Sequence, residues 1–368
     1  MKKSFHTKKL LLTLAVAAST LSATAVSTDD LVYYDMSQYP LYGTLAPDAS
    51  IPYTRLPDSI MNTTRPDLQR LGKNSTGLYI RFRSDAANIG VKYKHLKMAV
   101  MNHMSLTGVS GLDLYTMRPD STWTTVSSIR PNYYKNNTTT MIMPNMKPEM
   151  REYMLYLPLY DRADSIFIGI DSTARMLPPA LNLPVKEKPI VMYGTSILQG
   201  GCATRPGMVH TSMLSRMLNR QVINLGFSGN ARLDPEIAQL IAQSDPSIVV
   251  IDALPNVKKD EMIEKLPVFY GIIRKAHPTV PIVFVENPDF PLIRYDQETY
   301  NEITQENAEF RKLYDKFVAA GDKNLHYFTG HQILGDLVEG TVDNYHLTDL
   351  GFLHFANAMY PLLNSLLK

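Results

Sequence analysis

Apolar positions along this chain follow two rhythms. Between about Thr28 and Ser172 they alternate with polar ones in short runs. Gly77-Leu-Tyr-Ile-Arg-Phe-Arg83 and Ile89-Gly-Val-Lys-Tyr-Lys94 show the period of two expected of half-buried strands. Leu112-Asp-Leu-Tyr115, Glu152-Tyr-Met-Leu-Tyr-Leu157 and Ser165-Ile-Phe-Ile-Gly-Ile170 read the same way, with Pro119-Asp-Ser121 and Arg130-Pro-Asn132 as turns between strands. No long amphipathic helix interrupts them. Residues 28–172 are therefore expected to form an all-β sandwich of jelly-roll type. Residues 173–188, with Pro178, Pro179 and Pro184 and little periodicity, form the expected linker.

From Pro189 the rhythm changes. Ile190–Tyr193, Gln221–Leu225, Ser247–Ile251, Val280–Val285 and Leu325–Phe328 are apolar runs bounded by polar turns. Helical spacing covers about 207–219, 234–243, 258–276, 298–320 and 348–367. Apolar strands alternating with helices predict a parallel five-stranded sheet covered on both faces, a doubly wound, three-layer, flavodoxin-like α/β domain over 189–368.

The N-terminus alters the compartment. Lys2 to Lys9 is basic, Leu10 to Ala17 is a short apolar core and Ala23-Thr24-Ala25 fits a cleavage site, so 1–25 is expected to be a signal peptide. No later run reaches the length of a membrane span. The expected mature protein is exported, periplasmic or extracellular, without a membrane span. The formal charge is +2; without Lys2, Lys3, Lys8 and Lys9, 33 basic side chains face 35 acidic ones, a net of −2. That balance argues against nucleic acid as a partner. A single cysteine, Cys202, excludes an internal disulfide framework and any cysteine-rich metal site.

Sites in such a sheet form at the carboxyl ends of its strands. The first loop, Gly194-Thr-Ser-Ile-Leu-Gln-Gly-Gly201, lacks the Lys-Ser/Thr ending of a phosphate loop and the spacing of a dinucleotide fingerprint. It is not a Gly-x-Ser-x-Gly elbow either, because Leu198 stands at the last glycine position. It leaves Ser196 two residues beyond a buried strand, where a backbone N–H and a helix start face an incoming oxyanion. Alone, Ser196 reads as a helix cap. Asp343-Asn-Tyr-His346 before the last helix adds a carboxylate and an imidazole three residues apart. In the order Ser…Asp…His on a doubly wound sheet, the three read as a nucleophile, its base and the residue orienting that base.

The second half resembles the SGNH/GDSL hydrolase superfamily in four short blocks. Gly194-Thr-Ser-Ile197 is similar to its Gly-Asp-Ser-Leu block, and Asn224-Leu-Gly-Phe-Ser-Gly-Asn230 to its second block. Ala253-Leu-Pro-Asn256 is similar to its third and Asp343-Asn-Tyr-His346 to its Asp-x-x-His block. The resemblance implies Ser196 as nucleophile, His346 as general base, Asp343 as its orienting acid, and an oxyanion hole of Ser196, Gly229 and Asn256. Thr195 stands where the family has aspartate, and Pro255 and Val257 replace neighbours of the third-block asparagine; no proposed catalytic group is lost. Gly111-Leu-Asp-Leu-Tyr115 resembles the Gly-x-Asp-Leu-Tyr signature of a β domain found ahead of SGNH-like domains.

The implied function is an exported serine esterase removing short acyl groups, acetyl foremost, from carbohydrate through an acyl-enzyme, with no cofactor. An acyltransferase using the same intermediate is one alternative; a glycan-binding protein with a retired hydrolase domain is the other. Arg205 and His210, in the loop beyond Ser196, are candidates for substrate contact. Asp113 and Tyr115 could reach the mouth of the site, although packing of Leu114 and Tyr115 on an interdomain face is the preferred reading. Cys202 is expected to pack rather than react, and Glu286 and Asp289 to be turn residues rather than a glycosidase pair. His326, His331 and His354 lack metal-ligand spacing, so no metal is expected. Trp123 and the tyrosines are expected to pack on strands rather than stack on sugars.

Overall fold

The structure, a computed structural model, describes residues 26–96, 100–180 and 187–367. The expected signal peptide and part of the expected linker, 181–186, lie outside them.

Ten strands precede residue 180: β1 (Val32–Asp35), β2 (Leu41–Tyr42), β3 (Tyr79–Ser84), β4 (Ile89–His95), β5 (Leu112–Met117), β6 (Trp123–Ile129), β7 (Asn137–Met143), β8 (Arg151–Tyr156), β9 (Ala163–Ile170) and β10 (Met176–Leu177). All pair antiparallel, in two sheets ordered β1-β9-β4-β7 and β10-β3-β8-β5-β6, with β2 beside β3. The sandwich core takes alternate residues, such as Ile89, Val91 and Tyr93 of β4 against Ile166, Ile168 and Ile170 of β9. Strands β6 and β7 escape the alternation reading because Ser and Thr fill both faces and most of their residues stay partly exposed. The start of the expected linker is also structured, since Met176 and Leu177 pair with Ser84 and Arg83.

The second half has five parallel strands, β11 (Ile190–Gly194), β12 (Val222–Gly226), β13 (Ile248–Asp252), β14 (Ile282–Val285) and β15 (Leu325–Phe328), in the order β12-β11-β13-β14-β15. Every residue of the first four is buried, as strands covered on both faces must be. Helices His210–Leu218 and Asp349–Leu366 close one face; Pro235–Gln243, Lys259–Ala276 and Gln297–Ala319 contribute to the other. In this order the chain reverses direction across the sheet beside β11, which opens a crevice at the carboxyl ends of β11 and β13.

The two halves share cores. Leu56, Ile60, Leu68 and Leu71, which precede the main sandwich strands, pack with Val191, Ile223 and Phe227 on one face of the parallel sheet. Met104, Val109 and Leu159 pack with Ile190, Leu198 and Phe355 on the other. Arg55, fully buried, donates to the carbonyls of Leu71, Asn74, Asn224 and Gly226. Burial pulls its pKa down to about 9, yet four carbonyls and the Phe227 ring at 5.0 Å hold the cation in place.

Candidate active site

β11 ends at Gly194, and Thr195 turns the chain: its hydroxyl accepts from the Ile197 N–H and caps the short helix Ser196–Gln199. A side chain at Gly194 would collide with the Asp252 carbonyl, 2.6 Å from its Cβ position, so only glycine lets β11 and β13 run this close. Ser196 is thereby held at the crevice. From the other end of the chain, His346 Nε2 lies 2.9 Å from Ser196 Oγ, and Nδ1 lies 2.7 Å from Asp343 Oδ2. The Asp343 contact places the ring proton on Nδ1 and leaves the Nε2 lone pair to accept from the serine hydroxyl. The other Asp343 oxygen accepts the backbone N–H groups of Tyr345 and His346, and Asn344, at φ 71°, makes the tight turn that allows it. Burial alone would raise the Asp343 carboxyl; the hydrogen bonds from the His346 ring and from these backbone groups outweigh it and hold the pKa below the ordinary value. Ser196, Asp343 and His346 thus form one hydrogen-bonded chain.

The second and third blocks sit beside it. Gly229 follows β12 at φ 66°, with open space where a Cβ would be. Its neighbour Ser228 donates its N–H to Gln199 Oε1, which anchors the loop to the Ser196 helix. The Asn256 carbonyl oxygen accepts from Ala231 N–H at 3.2 Å, so its amide NH₂ remains available for an oxyanion. Arg65 fixes the same loop from the N-terminal region, with its guanidinium on Asn230 Oδ1, the Asn230 carbonyl and both oxygens of Asp234. The Tyr160 hydroxyl donates to the Ser196 carbonyl at 3.3 Å. Tyr160 and Ser228 also border a cleft of about 800 Å³ whose other walls come from N-terminal residues, among them Gln69, Lys73, Asn74 and Val100. Sequence reasoning missed Arg55, Arg65 and Tyr160, because no local pattern marks a side chain whose partners lie many residues away.

All four candidates for substrate contact, His210, Arg205, Asp113 and Tyr115, have structural partners. His210 has no exposed surface; its ring stacks on Phe355 at 4.4 Å and Phe352 at 5.7 Å. The spacing that placed it near Ser196 is real, but the helix it begins turns the ring inward. Arg205 donates to Asp113 Oδ2 at 2.6 Å and to the Tyr115 hydroxyl at 2.5 Å, and Gly207 N–H donates to the same carboxylate. Asp113 is fully buried and Tyr115 nearly so. Burial raises the Asp113 carboxyl, and Arg205 only partly offsets it. A Cβ on Gly207 would lie 2.3 Å from the Tyr115 hydroxyl, so the signature Gly111–Tyr115 docks tightly on the loop beyond Ser196. These residues brace the site rather than line it.

Other candidates resolve as follows. Glu286 accepts from the Tyr327 hydroxyl and Gly330 N–H, and Asp289 lies against His331, so both serve loops after β14. Cys202 is buried, and burial together with the Asp343 charge raises its thiol to about 12, far from a nucleophile's range. Trp123 packs on Arg81, whose guanidinium lies 5.4 Å from its ring. Ser110, His95 and Asp161 also meet, but both Ser110 and His95 bond to the aspartate, with no serine–histidine contact, in a buried place. No helix among the described residues is long and apolar enough to cross a membrane.

Comparison with known proteins follows the same division of the chain. Residues 187–364 match the GDSL-like lipase/acylhydrolase family and residues 31–176 match the N-terminus of SGNH-hydrolase-type esterases. A GDSL-like lipase from Bacteroides ovatus is 29% identical, with a TM-score of 0.86 over 92% of this chain and 98% of its own. A salicylyl-acyltransferase from a tetracycline biosynthetic pathway shares the fold at 16% identity and a TM-score of 0.72, over 92% and 98% of the two chains. A family two carbohydrate esterase from Clostridium thermocellum does so at 11% identity and a TM-score of 0.57, over 79% and 92%. No curated protein matches the chain in sequence. Residues 187–364 are therefore a GDSL-like lipase/acylhydrolase domain, preceded by the N-terminal domain of SGNH-type esterases, and the protein is a carboxylic ester hydrolase.

Proposed function

We propose that this protein is an exported serine esterase that removes short acyl groups, acetyl foremost, from carbohydrate. The observation that carries the mechanism is the chain of contacts from Asp343 through His346 to Ser196 at 2.7 and 2.9 Å. Ser196 Oγ attacks the ester carbonyl while its proton passes to His346 Nε2. The charge on the carbonyl oxygen is met by the Ser196 and Gly229 N–H groups and the Asn256 amide. The tetrahedral adduct collapses, the proton on His346 goes to the departing alcohol, and the acyl group stays on Ser196. Water, deprotonated by His346, then attacks the acyl-enzyme and releases the acid.

The choice of carbohydrate rests on the open cleft beside Ser228 and Tyr160, whose lining mixes amides and cations with apolar side chains such as Val100 and Leu96. Export rests on the leader pattern of residues 1–25. The test is hydrolysis of p-nitrophenyl acetate, butyrate and octanoate by the mature protein beside Ser196→Ala, followed by acetate release from acetylated polysaccharide. Fastest turnover on acetate, absent in the variant, is expected. Turnover unchanged in the variant would remove Ser196 as nucleophile. Acyl transfer to an added alcohol outrunning hydrolysis would make the enzyme an acyltransferase.

A further inference from the structure

We infer that the active site doubles as a binding site for a soft divalent metal ion, Zn²⁺ in the first place, formed by His103, Cys202 and His346. One ligand atom from each of the three lies within 4.8 Å of the others. They come from three separate segments: a loop of the N-terminal domain, the loop beyond Ser196 and the loop before the last helix. Zinc in a tetrahedral site holds N and S ligands roughly 3.3–3.8 Å apart, so side-chain movement of about 1 Å closes the set. Two imidazoles and a thiol are the donor types that select zinc over magnesium or calcium.

Both histidine rings are oriented for it. Ligating histidines donate their second ring N–H to a carboxylate or carbonyl, which fixes the tautomer. His346 does so through Nδ1 to Asp343, and His103 Nδ1 lies 3.1 Å from the Asn102 side-chain oxygen. Both rings thus present Nε2 as the lone-pair nitrogen, that of His346 lying 2.9 Å from Ser196 Oγ. The His103 and His346 rings lie 5.4 Å apart, centroid to centroid. Cys202 is held in place by its N–H on the Leu347 carbonyl, one residue beyond His346. Binding moves one proton from the thiol to solvent and forms a metal–sulfur bond. Three protein ligands leave a fourth position for water.

Occupancy has a direct consequence, which rests on the esterase reading above. The Nε2 lone pair that accepts the Ser196 proton is the one the metal takes, so zinc and catalysis exclude each other. Zinc is then a reversible inhibitor acting on the general base, set by a histidine from the N-terminal domain.

The test uses Co²⁺ and Zn²⁺ salts with the mature protein. Cobalt added to Ser196→Ala protein should give the thiolate-to-cobalt charge-transfer absorption and the intense visible bands of four-coordination. Zn²⁺ should displace it, and Cys202→Ser should abolish the charge-transfer band. In the esterase assay Zn²⁺ should inhibit, a chelator should restore the rate, and His103→Ala and Cys202→Ser should each raise the half-inhibitory concentration at least about tenfold, with turnover in the absence of metal retained. Absence of the thiolate band, or inhibition equal in wild type and both variants, would overturn the site. Cobalt bound through Cys202 in a protein without esterase activity would keep the site and refute the esterase reading instead.

Discussion

Replacing His210 by Phe tests the reassignment of this residue from substrate contact to core. Its ring is stacked against Phe352 and Phe355, it has no exposed surface, and neither nitrogen has a hydrogen-bond partner. Burial holds it neutral, with its pKa pushed down to about 3. The same imidazole titrates near 6.5 in an unfolded chain. A histidine whose pKa is lowered by folding refuses a proton that the unfolded chain accepts. Its contribution therefore destabilises the fold increasingly as pH drops from about 6.5 towards about 3. At pH 5 the unfolded imidazole is protonated by about thirty to one, which costs the native state about 2 kcal/mol relative to pH 7.5. Phenylalanine keeps the stack and cannot titrate. Any overpacking by its larger ring is the same at both pH values and cancels in the comparison. Thermal or urea unfolding of both proteins at the two pH values should show the variant gaining about 2 kcal/mol on wild type upon acidification. That is about 3 °C in Tm for two halves that share cores and unfold together. Its kcat/KM on p-nitrophenyl acetate should stay within about twofold. A stability difference that does not change with pH would refute a neutral buried imidazole, and a kcat/KM loss of about tenfold or more would return His210 to the substrate's side.

Further expectations concern the site itself. Ser196→Ala should drop kcat to background with an unchanged melting curve; residual turnover near wild type would point to another nucleophile. Asn256→Ala should lower kcat by about 100- to 1000-fold with little change in KM, and an unchanged kcat would remove its amide from the oxyanion hole. Asp343→Asn should cost up to about 10,000-fold in kcat, because the amide no longer holds the His346 proton on Nδ1; kcat reduced less than about tenfold would show that the backbone alone orients the ring. Arg205→Ala leaves the Asp113 carboxylate buried beside Tyr115 without its partner, and should destabilise the protein by about 3–5 kcal/mol in urea unfolding. A loss below about 1 kcal/mol would show that the pair is already solvated.

What could be read from the sequence was the part encoded locally. Period-two runs located β3, β4, β5, β8 and β9, and apolar runs located all five parallel strands, because side-chain alternation and double-sided burial each leave a short-range pattern. Strands β6 and β7, rich in Ser and Thr on both faces, left none. The residues at strand ends were legible for the same reason: a site at the carboxyl edge of a parallel sheet must draw on the few positions following each strand. Short blocks at those positions therefore carried the candidates Ser196, Asp343 and His346, and the resemblance to the SGNH/GDSL superfamily singled out Gly229 and Asn256 beside them.

Tertiary structure alone decided which side chains those positions meet. Ser196 and His346 are 150 residues apart, Arg205 and Asp113 are 92, and Arg65 and Asn230 are 165. A side chain's type states what chemistry it can do; its partner depends on where distant segments are placed when the chain closes. Proximity in sequence put Arg205 and His210 beside Ser196 and made them candidates for substrate. The docked N-terminal domain took Arg205 for its own buried aspartate, and the helix beginning at His210 turned that ring into the core. The same docking carried His103 to within reach of His346 and Cys202, a meeting of three segments that no spacing along the chain encodes.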